Sequence, residues 1–588
     1  MLEPIRVVET IQPVKVNELR AGQFIYDMGR NISGWTRIRV RGDRGTKVTL
    51  RHAGGLHADG RLDDRCNMHP THEARQTDLY ILKGEGEESW EPRFTLHGFR
   101  YVEVSGDPAL FELLAVEGRM VRTDAESAGT FRCSNPLLNR IHDYVKQTFA
   151  CCLQSQPQDA MDRAERVAWL GDPGMIAEDC MYNFRTAPFW TKWLEDIRDA
   201  QKPNGEVPFT CPNHWRGSFG NYSWVPVWHS SYPLFVWYLY QYYGDERILA
   251  EHFDALRSLA EFHRRKADNG ILNGGLGDHM EPQADGRSSS GPRRTPSSLT
   301  STAYYFYEIK ILAEIARVLG KDSLAGEYQT HSERIKDAFN REFFDSDSND
   351  YGRGSQTANA VALYLGLVPQ DRIMGVRENL VHNIMEEHQG HLATGIVGTN
   401  ALEQVLPELG ETEVMYGIAT KTTFPSWGHQ VVNGATTLWE TWEEPTAERY
   451  SLNMKMFGSS QLFFYKHLAG IAPGSPGFQD VIIRPRVVDD LDWVEGSLET
   501  MHGRIETRWE RTKTGLHLRV TIPTNTTAQI HVPTLDSQQV EIGLAGADIW
   551  SDKGYLSGGP GVLGGHQTKD AVVLQVGGGR YLFRMRKR

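Results

Sequence analysis

The segment 134–149 reads SNPLLNRIHDYVKQTF and marks the point where the chain changes from one kind of secondary structure to another. Ser134 and Asn135 are residue types that cap helices, and Pro136 suits the first helical turn. The apolar residues that follow recur at the spacing of one helix face: Leu138, Ile141, Val145 and Phe149. This stretch therefore predicts a helix that begins at Pro136.

Helical patterns continue from this point to about residue 470, with little sign of strands. Further stretches with helical spacing are 191–201, 233–243, 246–266, 305–319, 325–343 and 357–366. Gly244 and Gly320 end two of them, as glycine often does at a helix C-terminus. We predict that residues 126–470 form an all-α barrel of paired helices, with its functional site at helix ends where loops meet.

One segment inside this region does not fit a helix. Residues 284–301 (ADGRSSSGPRRTPSSLTS) are rich in Ser, Gly and Pro and cannot continue a helical pattern. The segment is either a plain surface loop or one wall of the mouth of the site.

Short runs of alternating polar and apolar residues occupy both ends of the chain. Before the helical region they are 37–40, 47–50 and 99–104; after it they include 518–522 and 530–532. Short strands separated by turn residues, such as Gly42-Asp43-Arg44-Gly45, are typical of antiparallel sandwiches. We predict a β-sandwich domain at 1–125 and a second one at 471–588.

Composition excludes several classes of protein. The net charge is −12 and the basic runs are short, so neither nucleic acid nor an anionic membrane is an expected partner. Polar Glu3 and Arg6 interrupt the N-terminus where a signal peptide needs an apolar run, and no apolar stretch of about 18 residues occurs. Six cysteines without a C-x-x-C motif indicate free thiols. We expect a cytoplasmic protein.

Carboxylates are the best candidates for catalysis, because the common phosphate, zinc and dinucleotide motifs are absent. Residues 156–172 (QPQDAMDRAERVAWLGD) mix four acids, two arginines and Trp169. Such a segment is usually a solvated, salt-bridged turn. Its apolar residues, however, indicate partial burial, and a buried acid needs partners or a chemical task.

A second acidic segment, 424–444, places Glu440 between Trp439 and Thr441-Trp442. The simpler interpretation is a helix with a tryptophan pair in the core and acids on the surface. Glycoside hydrolysis, however, needs two carboxyl groups, one to protonate the leaving oxygen and one to activate water. Glu165 and Glu440, although far apart in sequence, can meet in a closed barrel and supply this pair.

The same segments resemble known signatures. Asp159 to Asp172 resembles the D-C-P-Q-R-D-E-R-x-G-W-x-G-D motif of bacterial α-L-rhamnosidases of glycoside hydrolase family 78, and 434–442 (GATTLWETW) resembles their G-A-T-T-x-W-E-x-W. Residues 27–35 and 91–101 are also similar to family segments. The resemblance implies a six-hairpin (α/α)6 catalytic barrel flanked by antiparallel β-sandwiches.

The resemblance also implies an activity and a set of site residues. It implies inverting release of terminal α-L-rhamnose, with Glu165 as general acid and Glu440 as general base and with neither metal nor cofactor. The residues expected to bind the rhamnoside substrate are Asp159, Arg163, Trp169, Asp172, Trp224, Trp228, Asp278, Trp427 and Trp442. A homodimer is an assembly that the sequence leaves open.

Three positions depart from the family pattern. His229 follows Trp228 where the family often has Gly, His279 follows Asp278 where it often has Trp, and Met454 follows Asn453 where it commonly has His. These departures leave two alternatives open. The chain could hydrolyse a different or decorated deoxysugar, or it could be a carbohydrate-binding relative without catalysis.

Overall fold

The fold described below is that of a computed structural model. It describes residues 2–69, 72–73, 75–213, 224–443, 450–557 and 559–588.

The N-terminal region is a sheet domain, as the alternating patterns predict. Its strands are β1 (Ile5–Ile11), β2 (Lys15–Arg20), β3 (Gln23–Gly42), β4 (Lys47–Ala53), β5 (Gly55–Leu56), β6 (Leu62–Asp63), β7 (Met68–His69), β8 (His72–Glu73), β9 (Thr77–Ile81), β10 (Glu87–Trp90), β11 (His97–Ser105) and β12 (Phe111–Thr123). Eight of them form one sheet in the order β1-β12-β3-β11-β4-β9, with β2 and β10 also paired to the long strand β3. Alternate residues such as Ile38, Val40, Val102 and Val104 are fully buried on its inner face.

The helical region follows a short strand, β13 (Gly129–Cys133). Its helices are α1 (Pro136–Cys152), α2 (Gly171–Asn183), α3 (Ala187–Ala200), α4 (Pro226–His229), α5 (Ser231–Tyr243), α6 (Glu246–Lys266), α7 (Ser297–Val318), α8 (Asp322–Phe343), α9 (Gln356–Leu365), α10 (Ile373–His382), α11 (Ile396–Glu408), α12 (Thr412–Thr420), α13 (Trp427–Val432) and α14 (Ser460–Leu462). Two π-helical turns, Asn383–Glu387 and Phe463–Leu468, extend α10 and α14. Two small hairpins, β14 (Glu281–Pro282) with β15 (Ser288–Ser289) and β16 (Phe344–Asp345) with β17 (Asp350–Tyr351), lie between helices.

Helix α1 begins where the sequence predicts. The side chain of Asn135 accepts a hydrogen bond from the backbone N–H of Leu137, and Pro136 occupies the first turn. The face that carries Leu138, Ile141, Val145 and Phe149 is buried in the core. The cap and the buried face both agree with the sequence pattern, so the predicted helix is confirmed.

The predicted loop at 284–301 is shorter in the structure. Helix α7 begins at Ser297, so the last five residues of the predicted loop are helical. The hydroxyl of Ser288 donates to Glu443, and the backbone N–H of Ser288 donates to the same carboxylate at 2.9 Å. The loop is thus fastened to the segment that carries Glu440.

The C-terminal region contains two sheets. Its strands are β18 (Ile471–Pro473), β19 (Asp480–Ile483), β20 (Trp493–Thr500), β21 (Gly503–Thr512), β22 (Gly515–Ile522), β23 (Thr527–Pro533), β24 (Val540–Leu544), β25 (Ala547–Ser551), β26 (Gly554–Tyr555), β27 (Val562–Gln567), β28 (Ala571–Val576) and β29 (Gly579–Lys587). One sheet has the order β13-β20-β21-β22-β29-β24-β25-β26, and the other has the order β18-β19-β23-β28-β27.

Two pairings in this region do not follow from local sequence. Strand β13 lies before the helices in the chain, yet it pairs with β20 through Gly129 and Leu498. Strand β19 runs parallel to β23, whereas the other strand pairings described in these two sheets are antiparallel. The helical region is therefore joined to the C-terminal sheets at both of its ends.

The described cysteines are free and buried, in line with the predicted thiols; they are Cys133, Cys151, Cys152, Cys180 and Cys211. Among the helices of the described residues, none combines the length and the apolar character that crossing a membrane requires.

Candidate active site

Glu165 lies in a short loop between α1 and α2, here called the acid loop (residues 160–166). The loop is closed at its base by two hydrogen bonds between Asp159 and Val167: the N–H of Asp159 donates to the carbonyl of Val167 at 2.9 Å, and the N–H of Val167 donates to Asp159 Oδ1 at 3.0 Å. Asp159 thus shapes the loop with its side chain, and Glu165 projects from it.

Glu440 lies on an irregular segment that is hydrogen-bonded to residues 451–454. The N–H of Glu440 donates to the carbonyl of Ser451 at 2.9 Å, and the N–H of Ser451 donates to Glu440 Oε2 at 2.7 Å. The hydrogen bond from the N–H of Ser451 fixes the direction of the Glu440 carboxylate.

The acid loop is bonded to the same strip of chain. Asp162 accepts from the hydroxyl of Ser451 and from the N–H of Leu452 at 2.9 Å, and the N–H of Met161 donates to the carbonyl of Asn453 at 3.1 Å. The segments that carry Glu165 and Glu440 therefore share one support, although they lie far apart in sequence.

Arg163 lies between the two glutamates. Its Nη1 donates to Glu440 Oε1, and its Nη2 lies 3.4 Å from Glu165 Oε2. All three side chains are at least nine-tenths buried. Because both carboxylates contact one planar guanidinium, their nearest oxygens lie at most about 8 Å apart. Burial lowers the pKa of Arg163, whereas the charges of Glu440 and Glu165 raise it by a larger amount. The pKa of Arg163 is therefore raised overall.

Trp169 forms a wall beside Glu165. Its indole Nε1 donates to Glu165 Oε1 at 2.8 Å, and its ring stacks on Phe209 with centroids 5.2 Å apart. The ring is only partly buried, which leaves apolar surface available to a ligand.

Two further acids lie beside Glu165. Burial raises the pKa of Asp159 well above its usual value, and the charge of Glu165 adds to the increase. Burial also raises the pKa of Asp172, against the opposing influence of Lys455 and His279. Asp159 Oδ2 is buried and has no hydrogen-bond partner among the described residues, as expected of an oxygen that a ligand hydroxyl could engage.

Lys455 supplies the cation that balances these acids. It is almost fully buried, and its ammonium donates to the carbonyls of Pro157, at 2.6 Å, and Gln158. Sequence reasoning missed it; a lysine within the apolar stretch Met454–Phe457 was the available signal.

Trp228 and Gly171 form another part of the site next to Asp172. Trp228 is almost fully buried, its Nε1 has no partner among the described residues, and its ring meets His279 edge-on at 6.4 Å. A Cβ atom on Gly171 would lie 2.1 Å from Trp228 Cδ2, so the indole lies directly against this backbone.

Gly171→Ala is expected to destabilise the fold by about 1–3 kcal/mol, because the added methyl group must displace the ring of Trp228. Urea unfolding measures the effect. Gly326→Ala in α8 is the matched control, since a Cβ there meets nothing within 4 Å. The control is expected to be neutral or stabilising; equal behaviour of the two variants would contradict the contact.

Asp162 makes the stability of the fold depend on pH. Burial raises the pKa of Asp162 from 3.8 to about 6, opposed by its hydrogen bonds to Ser451 and Leu452. In the unfolded chain the carboxyl ionises near pH 4, whereas in the folded protein it stays protonated until about pH 6. The contribution of this group to stability is therefore full at acid pH and is lost as the pH rises through this window.

We expect the free energy of unfolding of the wild type to fall by about 2–3 kcal/mol relative to that of Asp162→Asn between pH 4 and pH 7. Urea titrations of both proteins at several pH values measure the difference. A constant difference across this range would contradict the raised pKa.

Other predicted site residues have structural partners. Asp278 is fully buried and accepts from the N–H groups of Gly395, Val397 and Gly398 at 2.8–3.0 Å, at the start of α11. Trp427 and Trp442 are fully buried and pack edge-to-face with centroids 5.5 Å apart. Their indole groups donate to backbone carbonyls of Phe457 and Thr394. These contacts describe a helix cap and a core pair.

Trp224 is partly exposed and donates from Nε1 to the carbonyl of Asn273 at 2.6 Å. Its ring packs edge-on against His229, at 5.6 Å, and His263. The neighbouring residues 221–223 of the sequence segment lie outside the described part of the chain.

The three departures from the family pattern differ in position. His229 is fully buried and bonds through Nδ1 to His263, which in turn bonds to Glu308 at 2.9 Å. Met454 is buried and pairs with Ala160 at the acid loop. His279 is partly exposed, and its Nδ1 lies 2.7 Å from the carbonyl of Ser290. Of the three, His279 has the exposed ring, next to Asp172 and Trp228.

One cluster outside the site has the composition of a metal-binding group. The ligand atoms of His52, Asp78 and His97 lie within 4.8 Å of one another. However, both ring nitrogens of His52 already have partners, in Thr36 and the carbonyl of Gln76, and the two imidazoles stack at 4.4 Å. The contacts describe a hydrogen-bonded core cluster of the N-terminal sheet domain.

Comparison with known families covers all three regions. The family model described as the bacterial alpha-L-rhamnosidase 6 hairpin glycosidase domain matches residues 126–468. The concanavalin-like and C-terminal domain models of the same family match residues 17–122 and 470–545.

Individual relatives agree. The alpha-L-rhamnosidase of Streptomyces avermitilis is 35% identical over 547 residues, which cover 92% of this chain and 51% of that protein. The alpha-L-rhamnosidase of Alteromonas sp. (strain LOR) is 30% identical, with 90% and 58% covered. The chain thus spans about half the length of the curated relatives it matches.

Solved structures give the same result. The structure of the alpha-L-rhamnosidase from Dictyoglumus thermophilum has a TM-score of 0.93 at 37% identity and covers 100% of this chain and 64% of its own. The Streptomyces avermitilis alpha-L-rhamnosidase complexed with L-rhamnose has a TM-score of 0.88 at 33% identity, with 100% and 54% covered. The predicted fold class, a six-hairpin helical domain between β domains, is confirmed. The chain belongs to the bacterial alpha-L-rhamnosidase family.

Proposed function

We propose that the protein releases terminal α-L-rhamnose from rhamnosides by a single displacement with inversion at C1. The observation that carries the proposal is the position of Arg163, which contacts the carboxylates of both Glu165 and Glu440 inside one buried site. Inverting glycosidases need two carboxyl groups about 6.5–9.5 Å apart, with room for one water between them. The separation that one guanidinium allows is compatible with this range.

The surroundings of the two glutamates support different roles. Glu440 has the hydrogen-bonded ion pair with Arg163 and the N–H of Ser451, which both stabilise a negative charge. We assign it as the base that takes a proton from the attacking water.

Glu165 has a longer contact with Arg163 and lies beside Asp159 and Asp172. We assign Glu165 as the acid that gives its proton to the glycosidic oxygen while the bond from C1 to that oxygen breaks. The products are the free sugar and the alcohol of the leaving group, and the two glutamates then exchange protons with solvent to reset.

The remaining groups suit sugar recognition. Asp159 and Asp172 would accept from ring hydroxyls, and the partly buried face of Trp169 would pack on the C–H groups of the sugar. Trp228 and His279 would bound the other side. The leading alternative, a different or decorated deoxysugar, rests on His279, because the other two departures are buried.

A panel of aryl glycosides tests the proposal. Activity on the aryl α-L-rhamnoside, well above that on the L-fucoside, D-mannoside and D-glucoside analogues, is the expected result. Preference for another sugar would overturn the assignment of rhamnose. Tight binding of rhamnose in calorimetry without turnover of any aryl glycoside would instead favour a non-catalytic relative.

A further inference from the structure

Arg166, the residue after Glu165, extends out of the helical region and into the N-terminal sheet domain. Its Nη1 donates to the carbonyl of Leu96, and its Nη2 donates to Gln76 Oε1 at 2.6 Å. Its Nε donates back to the carbonyl of Arg163 at 3.1 Å, within the acid loop. One side chain thus joins the acid loop to two points of a different domain.

Gln76 is itself held on every side. It is almost fully buried, and its Oε1 also accepts from the N–H of Gly98 at 2.7 Å. Its Nε2 donates to Asn67 Oδ1 at 2.7 Å and to the carbonyl of Gly98 at 3.0 Å. The acceptor that Arg166 meets is therefore held in place by residues of its own domain.

Strand β11 also packs directly on the acid loop. A Cβ atom on Gly98 would lie 2.3 Å from the backbone carbonyl of Met161 and 2.5 Å from the N–H nitrogen of Asp162. This close backbone approach is open only to glycine, and it sets the distance between the sheet and the loop. The loop is consequently held from two sides, by β11 and by the strip 451–454 that supports Glu440.

The position of Arg166 is costly. Its backbone has φ +47, a region that residues other than glycine seldom adopt. Its guanidinium is largely buried, yet the described residues offer it three neutral oxygen atoms and no carboxylate ion pair. Strain and a buried charge without an ion pair at the residue next to the acid are expected where placement serves function rather than stability.

We propose that Arg166 and Gln76 are positioning residues, which hold the acid loop against the N-terminal sheet domain so that Glu165 meets the leaving oxygen. The inference rests on the proposed function and extends it. Under this proposal the N-terminal sheet domain helps to orient Glu165, whereas Glu440 is oriented by Ser451 within the helical region.

The test compares two rhamnosides with different leaving groups. The dinitrophenolate leaving group of a 2,4-dinitrophenyl rhamnoside departs without protonation. The methoxide leaving group of a methyl rhamnoside needs a proton from the acid. Arg166→Met keeps the length of the side chain and removes the three donors. We expect its kcat on the methyl rhamnoside to fall about 10–100-fold, with KM changed little and kcat on the dinitrophenyl rhamnoside nearly retained. Arg166→Lys, which keeps one donor group, is expected to recover part of the loss.

Asn31→Ala is the matched control. Asn31 is a buried residue of the same sheet domain. Its side-chain Nδ2 donates across the interface to the hydroxyl of Thr437 instead of to the acid loop, and its backbone N–H donates to the hydroxyl of Thr436. Any loss in this variant is expected to be equal for the two leaving groups. Thermal melts of all variants report on folding.

Should Arg166→Met fail to fold, Gln76→Met gives the same test from the other domain, with the same selective loss expected. Equal losses on both substrates, or wild-type kinetics in the folded variants, would overturn the inference. A wild type without activity on either rhamnoside would instead overturn the proposed function, so the two failures are distinguishable.

Discussion

Glu440→Gln is expected to lower kcat on every rhamnoside by roughly 10²–10⁴-fold, whichever leaving group the substrate carries. The amide keeps the size of the side chain, but it cannot take a proton from water. It also replaces the carboxylate that Arg163 contacts, so the guanidinium loses one of its two acidic partners. The loss therefore belongs to the attack of water, a step that every substrate must pass.

Steady-state kinetics on the methyl and dinitrophenyl rhamnosides measure this loss. Glu126→Gln is a suitable control, because Glu126 is largely exposed and pairs with Arg185 on the surface. A Glu440→Gln variant that retains near-normal turnover of the dinitrophenyl rhamnoside would contradict the role of Glu440 as the base.

Glu165→Gln is expected to produce a loss of similar size with a different dependence on substrate. Without an acid, the leaving oxygen of the methyl rhamnoside departs as an alkoxide, and kcat is expected to fall roughly 10²–10⁴-fold. The dinitrophenyl rhamnoside, whose leaving group is stable as an anion, is expected to lose far less. Trp169 would still donate to the amide oxygen, so the side chain keeps its place.

The contrast between the two variants is the informative result. If the two leaving groups lose activity equally in Glu165→Gln, then Glu165 is not the acid. The near-normal stability of both variants, measured by urea unfolding, is needed to assign the losses to chemistry.

Much of the fold is readable from local sequence. The cap at Asn135, the stripe from Leu138 to Phe149 and the terminal glycine at Gly244 each predict a helix boundary that the structure contains. Alternation in the flanking regions predicts the sheets. Such features depend on neighbouring residues only, and short-range physics is sufficient to predict them.

The pairings that depend on distant residues are not readable in this way. Nothing in Gly129–Cys133 indicates that the strand pairs with Trp493–Thr500, because the residues of a strand do not by themselves identify the strand with which it pairs. The loop 284–301 likewise appears longer in sequence than it is, since Ser297 and Ser298 lack apolar spacing yet belong to α7.

The candidate site shows the same division. The two acidic segments stand out in the sequence, but the placement of Arg163 between both glutamates does not. The sequence does not predict roles for the ionisable residues Lys455, Asp162 and Arg166. Their importance depends on their burial, which is a tertiary property. Asp278 and Trp442 have the residue types of sugar ligands, yet their contacts are a helix N-terminus and a core partner.

Proton NMR of the reaction in its first minutes tests the central claim most directly. If Glu165 protonates the leaving oxygen while Glu440 activates one water, the first sugar observed is β-L-rhamnose, and the α anomer appears only as mutarotation proceeds. Initial accumulation of α-L-rhamnose would show retention through a glycosyl intermediate and would contradict the assignment of Glu440 as a base.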